Sequence, residues 1–521
     1  MKLPALLKLP ALLFSALLAS SVLIVPTTSH AADAGTPTAG GIAWQQGDVD
    51  AAFAEAKASN KPLFLYWGAV WCPPCNQVKA TIFNRQDFIE RSRFFVPVYI
   101  DGDSASAQKL GTRFKVRGYP SMILFKPDGT EIIRLPGEVD GARYLQVLQL
   151  GMNAAHPVKD TLQTALKDAA KVSADEWRLL SFYSWDTDEQ QLVAKDQVAA
   201  TLQKLAQICP VPDSAQRLEL KSLVALSGMK DKPDFEPTLA AGRLLKILYN
   251  PKQTRDNMDI LTNGASDLTE LVSSEGSVLR EQLQKAWAIA LPRLVSDTTI
   301  SKADRVAAIS AQIAMARLAT PKGALPGELV SAVQQRITEL DKSTDNPYER
   351  QAVISDAAHA LTDIGLIEQS DSMLKAELKR SQSPYYYMLG LASNAKKQGD
   401  KAGALNWYEQ AYQSAKGPAT RLQWGATYLT NLLDLAPQDD ARIEKAANGM
   451  LTELAATPDA FYERSRRNLE KIGEKMTHWN KDGKHEAVLG KVRTQLSGIC
   501  GKLPAKDEQR AVCDGLLPKA G

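Results

Sequence analysis

The 521-residue sequence is poor in the residues that build metal sites and has no surplus of charge of either sign. It has 5 histidines and 5 cysteines, and no histidine lies between positions 31 and 155. A mononuclear metal centre in that stretch would be short of ligands, since zinc takes three or four, and no metal or other cofactor is expected. Lys and Arg number 62 against 59 Asp and Glu. The balance holds locally, 13 against 12 over residues 32–150 and 47 against 47 from residue 151 onward, which argues against nucleic acid or anionic lipid as a partner. None of the 14 asparagines stands in an N-x-[ST] sequon, which favours a bacterial periplasm over a eukaryotic secretory route. There is no P-loop, no glycine-rich dinucleotide fingerprint and no G-x-S-x-G elbow. After residue 25 no stretch is long and apolar enough to cross a membrane.

What is present begins with an export signal. Met1-Lys2, an apolar run over residues 9–25 and the small-residue sequence Ser29-His30-Ala31-Ala32 predict a secretory signal peptide, residues 1–31, cut after Ala31. The run is 17 residues long and contains Pro10, short of the ~20 residues of a spanning helix, although an uncleaved anchor is the alternative. No cysteine follows it for lipid attachment. The expectation is a periplasmic protein with no stable membrane insertion after cleavage, opening on a flexible linker over residues 32–43.

The remaining length suggests more than one domain. Residues 44–151 alternate short β-like and helical runs: 62–68, 76–83, 94–100, 104–114, 121–125, 131–135 and 139–150, with a hairpin turn at Pro127-Asp128-Gly129. This predicts an α/β domain. Pro97 removes a ladder donor, so its strand belongs at or near a sheet edge. After residue 152 the strand signals stop, and residues 152–521 read as helix after helix punctuated by prolines. Within them residues 390–412 pair Leu391-Ala392, a Gly399-Asp400 turn, and Ala404, Tyr408 and Ala411, the small/large alternation of a stacked helical hairpin. That segment resembles one tetratricopeptide repeat, with similar lengths but a poor residue match on either side, around residues 345–455. A helical-hairpin solenoid and a compact bundle are both consistent with the pattern.

The chemistry lies in Trp71-Cys72-Pro73-Pro74-Cys75, which follows an apolar strand. A structural disulfide closing so small a loop would constrain the unfolded chain little. A redox role explains more. At the first turn of a helix the N–H groups and the positive helix end favour a thiolate at Cys72, Pro73 and Pro74 suit the first helical positions, and Cys75 one turn on can displace a mixed disulfide.

These residues, with Asp101 at the end of the next strand and Arg117-Gly118-Tyr119-Pro120 before another, resemble the thioredoxin family, most closely the exported bacterial thioredoxin-like domains such as the C-terminal domain of the membrane thiol:disulfide interchange protein. The resemblance implies a central mixed sheet flanked by helices, Cys72 as nucleophile, Cys75 as resolving thiol, Trp71 beside the dithiol, and a cis Pro120 that with Tyr119 docks the partner backbone. It also implies partner proteins bearing disulfides and a membrane thiol protein as electron donor. Two positions depart from the family: Tyr66 stands where many members carry a buried aspartate, and Pro97 where they carry a lysine. Tyr66 could donate a hydrogen bond, but its apolar neighbours favour space-filling. No histidine lies between the cysteines to stabilise a reduced thiolate, which favours a reducing or isomerising poise over an oxidising one.

Three cysteines remain. Cys500 and Cys513 flank a turn at Pro504 and are spaced to staple a hairpin; Cys209, before Pro210, reads as a buried helix-end residue rather than a regulatory thiol. His359, His478 and His485 read as surface or core residues. The function expected is thiol:disulfide exchange at Cys72 and Cys75 with a helical partner-binding region. The alternative is a helical binding scaffold on a redox-inactive platform.

Overall fold

The computed structural model describes residues 41–517, except 105, 138, 189, 190, 233, 234, 322 and 458. The expected signal peptide, and the linker up to residue 40, lie outside the described residues. The α/β part is built on four strands, β1 (Leu63–Gly68), β2 (Val96–Asp101), β3 (Ser121–Phe125) and β4 (Glu131–Leu135), in the order β2-β1-β3-β4. β1 runs parallel to β2 and antiparallel to β3, and β3 runs antiparallel to β4, so the sheet is mixed. β2 is the outer strand, as Pro97 requires. The Pro97 carbonyl faces outward and accepts from the Gln45 amide at 2.8 Å, so the missing N–H falls on the same outer side and costs the sheet no internal bond. The β3–β4 turn closes through Gly129 at φ +87°, a conformation that suits glycine.

The two-residue period of a strand decides which core each side chain joins. Leu63, Leu65 and Trp67 point to one face, where they pack with Val98 and Ile123 beneath the helices Val49–Ser59 and Ala107–Phe114. Phe64 and Tyr66 point to the other, beneath Gly141–Met152. That second core continues past the α/β part into Trp177, Leu180, Leu202 and Leu205 of the helices Ala174–Phe182 and Val198–Ile208. Burial of each such side chain stabilises by roughly 1.5–3 kcal/mol relative to exposure, so the first helices after residue 152 are held to the sheet.

From Val158 to the end, the regular elements among the described residues are all helical. The helices Pro384–Lys397 and Lys401–Ser414 form a tight antiparallel pair across Gly399, φ +79°, with the Asp400 carboxylate accepting from the Gly403 amide at 2.8 Å. Leu391, Ala392, Ala404, Tyr408 and Ala411 are buried in it. Pro347–Asp363 with Ile367–Glu377, and Pro418–Leu435 with Asp440–Ala455, make neighbouring hairpins. No helix among the described residues is long and apolar enough to cross a membrane. The chain then returns to the α/β part: Pro347–Asp363 packs on the helix Pro73–Val78, and Glu463–Trp479 packs on Ala107–Phe114. These two contacts position the site.

Candidate active site

Cys72 leaves β1 in extended conformation and caps the helix Pro73–Val78, which continues as a π-helical turn over Lys79–Phe83. Its Sγ accepts from the Cys75 amide at 3.2 Å, because Pro73 and Pro74 carry no N–H and Cys75 supplies the first free donor. Three residues along a helix bring side chains onto one face, and the two sulfurs are joined in a disulfide. The Asn76 side-chain amide donates to Val70 O and Cys72 O, both at 2.8 Å, and fixes the loop. Opposite, the Tyr119–Pro120 peptide is cis and the Tyr119 carbonyl lies 3.6 Å from Cys72 Sγ. The Tyr119 hydroxyl donates to Gly102 O and receives a bond from Gln108, both at 3.0 Å. A Cβ at Gly102 would meet that ring at 2.3 Å, so glycine is needed there.

The helical region completes the site, with residues that no local motif marks. Trp71 Nε1–H is shared between Asp103 Oδ2 at 2.9 Å and Thr420 Oγ1 at 3.0 Å, and Gln351 donates to the Trp71 carbonyl at 3.0 Å. The Trp71 ring stacks on Tyr386, meets Trp424 edge-on, and carries the Arg464 guanidinium 4.7 Å from its centre; Arg464 also lies 5.0 Å from the Tyr119 ring. The Arg464 amide donates to Gln108 at 3.0 Å, and Gln77 donates to Asp304 at 2.9 Å. Cys72 is 3% exposed and Cys75 fully buried. Aromatic rings supplied from more than 300 residues away, Tyr386 and Trp424, pack on the neighbouring Trp71.

Burial, reinforced by the neighbouring Asp101 charge, pushes the Asp103 carboxyl up to about 6; Thr420, Arg464 and Trp71 oppose the shift. Burial likewise raises Asp101, against the Asp103 amide and Lys79, and lowers Lys79. Lys79, one turn beyond Cys75, sits over the Tyr99 and Tyr348 rings at 5.7 and 5.6 Å. The α/β part therefore has one buried acid, Asp103, and a half-buried acid and lysine, Asp101 and Lys79, away from positions 66 and 97. Tyr66 fills space. Its hydroxyl has no hydrogen-bond partner among the described residues and occupies the room left at Gly68, where a Cβ would meet it at 2.4 Å.

Beside the dithiol a cleft of about 290 Å³ opens. One wall is Pro74, Gly118, Tyr119, Pro120, Pro136 and Gly137; the other, from the helical region, sets Asp186, Lys221, Asp259 and Asp267 beside the apolar Val224 and Ile260. Elsewhere, Cys500 and Cys513 form a second disulfide, joining the helices Glu486–Cys500 and Glu508–Gly515. Cys209 is a free thiol at the end of Val198–Ile208, half-buried, and burial pushes its pKa up. His485 is buried, stacked on Trp479 and bonded to Asp440 at 2.8 Å, while His359 is exposed.

Comparison with known proteins places these features. Residues 49–151 match the family described as a thioredoxin-like domain. The thiol:disulfide interchange protein DsbD of Pseudomonas fluorescens is 32% identical over 103 residues, 19% of this chain and 18% of that protein. DsbD 1 of Pseudomonas aeruginosa is 32% identical over 117 residues, 21% of this chain and 20% of that protein. The chain thus spans about a fifth of the length of these relatives. Thioredoxin of Mycobacterium tuberculosis is 32% identical over 101 residues, 19% of this chain but 83% of that protein. The solution structure of a thioredoxin from Thermus thermophilus aligns over 98% of its length and 25% of this chain, at 20% identity and a TM-score of 0.21. Through its α/β part, which carries a cysteine pair at disulfide distance, the chain belongs to the thioredoxin family.

Proposed function

We propose that the protein is an exported thiol:disulfide oxidoreductase, working in the periplasm on the reducing or isomerising side. The observation that carries this reading is the Cys72 sulfur at the start of a helix, receiving the Cys75 amide and facing the Tyr119 carbonyl before cis Pro120. Reduced Cys72 attacks one sulfur of a partner disulfide and forms a mixed disulfide. Cys75 then attacks Cys72 Sγ, the partner leaves as a dithiol, and two electrons have passed from protein to partner. Trp71, Tyr119 and Pro120 hold the two reacting chains in place. Return to the dithiol needs a reductant, and a membrane thiol protein is the donor that likeness to the interchange proteins suggests. The helical region, residues 152–521, is the partner-binding region, with a tetratricopeptide-like alternation over residues 390–412.

Titration of the mature protein against defined thiol/disulfide buffers, read by alkylation and mass spectrometry, tests this: Cys72 and Cys75 are expected to change state together. If neither changes across the physiological range, the enzyme reading fails. The Cys75→Ser protein should retain partners covalently on Cys72, since internal displacement is lost. A second reading, a binding scaffold with a redox-inactive platform, is favoured by one observation: the dithiol is buried under the helical region. An empty trap with reduced, reactive Cys72 would select it.

A further inference from the structure

Resting on the thiol:disulfide reading, we infer that the cleft between the Pro120 loop and the helical region admits a disulfide carried on an extended, one-chain-wide segment with basic residues beside its cysteine. The surface disulfide of a folded protein is excluded. Three observations lead there. The face of the dithiol is closed by Tyr386, Trp424 and Arg464 around Trp71, and Cys72 is 3% exposed. The cleft lies next to the dithiol, since its wall includes Pro74, one residue from Cys75, and Tyr119, whose carbonyl lies 3.6 Å from Cys72 Sγ. Its volume of about 290 Å³ is at the lower end of small-ligand pockets, roughly 300–1,000 Å³, and accommodates a few residues of a single strand.

The two walls specify what that strand looks like. Pro74, Pro120 and Pro136 line one side with apolar rings that offer no N–H. The other presents Asp186, Asp259 and Asp267 against the single cation Lys221. Asp259 is engaged by Arg217 in a bidentate pair and Lys221 lies 3.9 Å from Asp186. The lining thus carries three carboxylates against one cation, and Asp267 is the carboxylate left after these two pairs. In an extended chain successive side chains point to opposite faces, so one strand can lay apolar residues on the prolines and cations on the aspartates. A compact small molecule cannot match both walls in this alternating way, and a folded domain cannot enter.

The step balances as above: Cys72 attacks the peptide disulfide, one peptide thiolate leaves, Cys75 displaces the other, and the protein ends as the disulfide. No further reductant is needed for one turnover of the reduced protein. The experiment is single-turnover stopped flow with reduced full-length protein. It uses three disulfides: unstructured peptides joined by one disulfide with Lys beside each cysteine, the same peptides with Glu, and folded insulin. Each rate is divided by that for dithiothreitol to remove intrinsic reactivity. The Lys peptide is expected to react at least about tenfold faster than insulin, and about fivefold faster than the Glu peptide, the effect of an ion pair near 1 kcal/mol. The double variant Asp186→Lys/Asp267→Lys should invert the Lys/Glu preference. Should it fail to fold by circular dichroism, Asp186→Asn, whose native side chain is 79% exposed, should reduce the preference. Equal normalised rates for insulin and peptide, or a preference untouched by the variants, overturn the cleft as the route while leaving the exchange reading standing. No reaction even with hydroxyethyl disulfide overturns both.

Discussion

Two disulfides lie in the same apolar cluster of this protein, and they are built for opposite ends. Cys500–Cys513 is surrounded by Leu489, Val492, Leu496 and Leu516 and bridges residues 13 apart. Cys72–Cys75 bridges residues 3 apart and has on one side the cis proline loop that lines a cleft and on the other Trp71, which holds a buried acid and a stacked guanidinium. Depth of burial does not separate them, since all four sulfurs are within 3% of full burial. The difference lies in loop length and in what stands beside the sulfur. A longer loop removes more freedom from the unfolded chain, whereas a helix start beside an open cleft gives a thiolate both stabilisation and a route to a partner.

The sharpest break of this comparison is a double dissociation. Cys72→Ala is expected to lower disulfide exchange with hydroxyethyl disulfide by a factor on the order of 10³ or more, because the attacking thiol is lost, while the unfolding midpoint in urea changes little. Cys500→Ala/Cys513→Ala should leave that exchange rate within about twofold and lower stability by about 3 kcal/mol, the chain-entropy value for a loop of this size. A Cys72→Ala protein that unfolds early, or a C-terminal variant that loses exchange, would collapse the distinction.

The next effect concerns the buried acid. The Asp103 carboxyl titrates near 6 in the folded protein against about 3.9 unfolded. Its pKa is raised, so between those values the folded state holds the extra proton and stability falls as pH rises from about 4 through 6. The loss is on the order of 3 kcal/mol. Asp103→Asn keeps an acceptor for Trp71 and should remove that fall, visible as a flatter dependence of urea stability between pH 4 and 7. An unchanged slope would show that other groups carry it.

Smaller effects test the cover over Trp71. Thr420→Val removes one of two acceptors from the Trp71 indole and should cost about 0.5–1.5 kcal/mol, measured by urea denaturation. Smallest is Tyr66→Phe: the hydroxyl makes no hydrogen bond among the described residues, so stability should move by no more than about 0.5 kcal/mol. A loss above 2 kcal/mol would mean that the hydroxyl has a partner after all and that Tyr66 does more than fill space.

The α/β elements were legible because their signals are local. Strand 121–125 and strand 131–135 fall where the apolar runs put them, and Pro97 marks the edge strand through a donor that a central strand would need. Helix starts were less well placed. The expected run over 76–83 begins at Pro73, because two prolines at the first helical positions extend the helix to the cysteine. The expected run over 104–114 starts at Ala107, after Asp101, Gly102 and Asp103 form the turn that receives Trp71 and Tyr119. The hairpin at residues 390–412 was readable from Gly399 and Asp400, a positive-φ glycine and a capping acid.

The sequence by itself determined the dithiol, its helix start and the alternation that sorts β1 between two cores, since each depends on residues within a turn or a strand of one another. Only the tertiary structure decided that Gln351, Thr420, Trp424 and Arg464 close over that dithiol. The physical reason is that an aromatic or polar side chain on a helix has the same spacing whether it packs on the next helix or on a distant sheet. Its partner is set by how the helices stack, which is a property of the whole chain and of no segment within it.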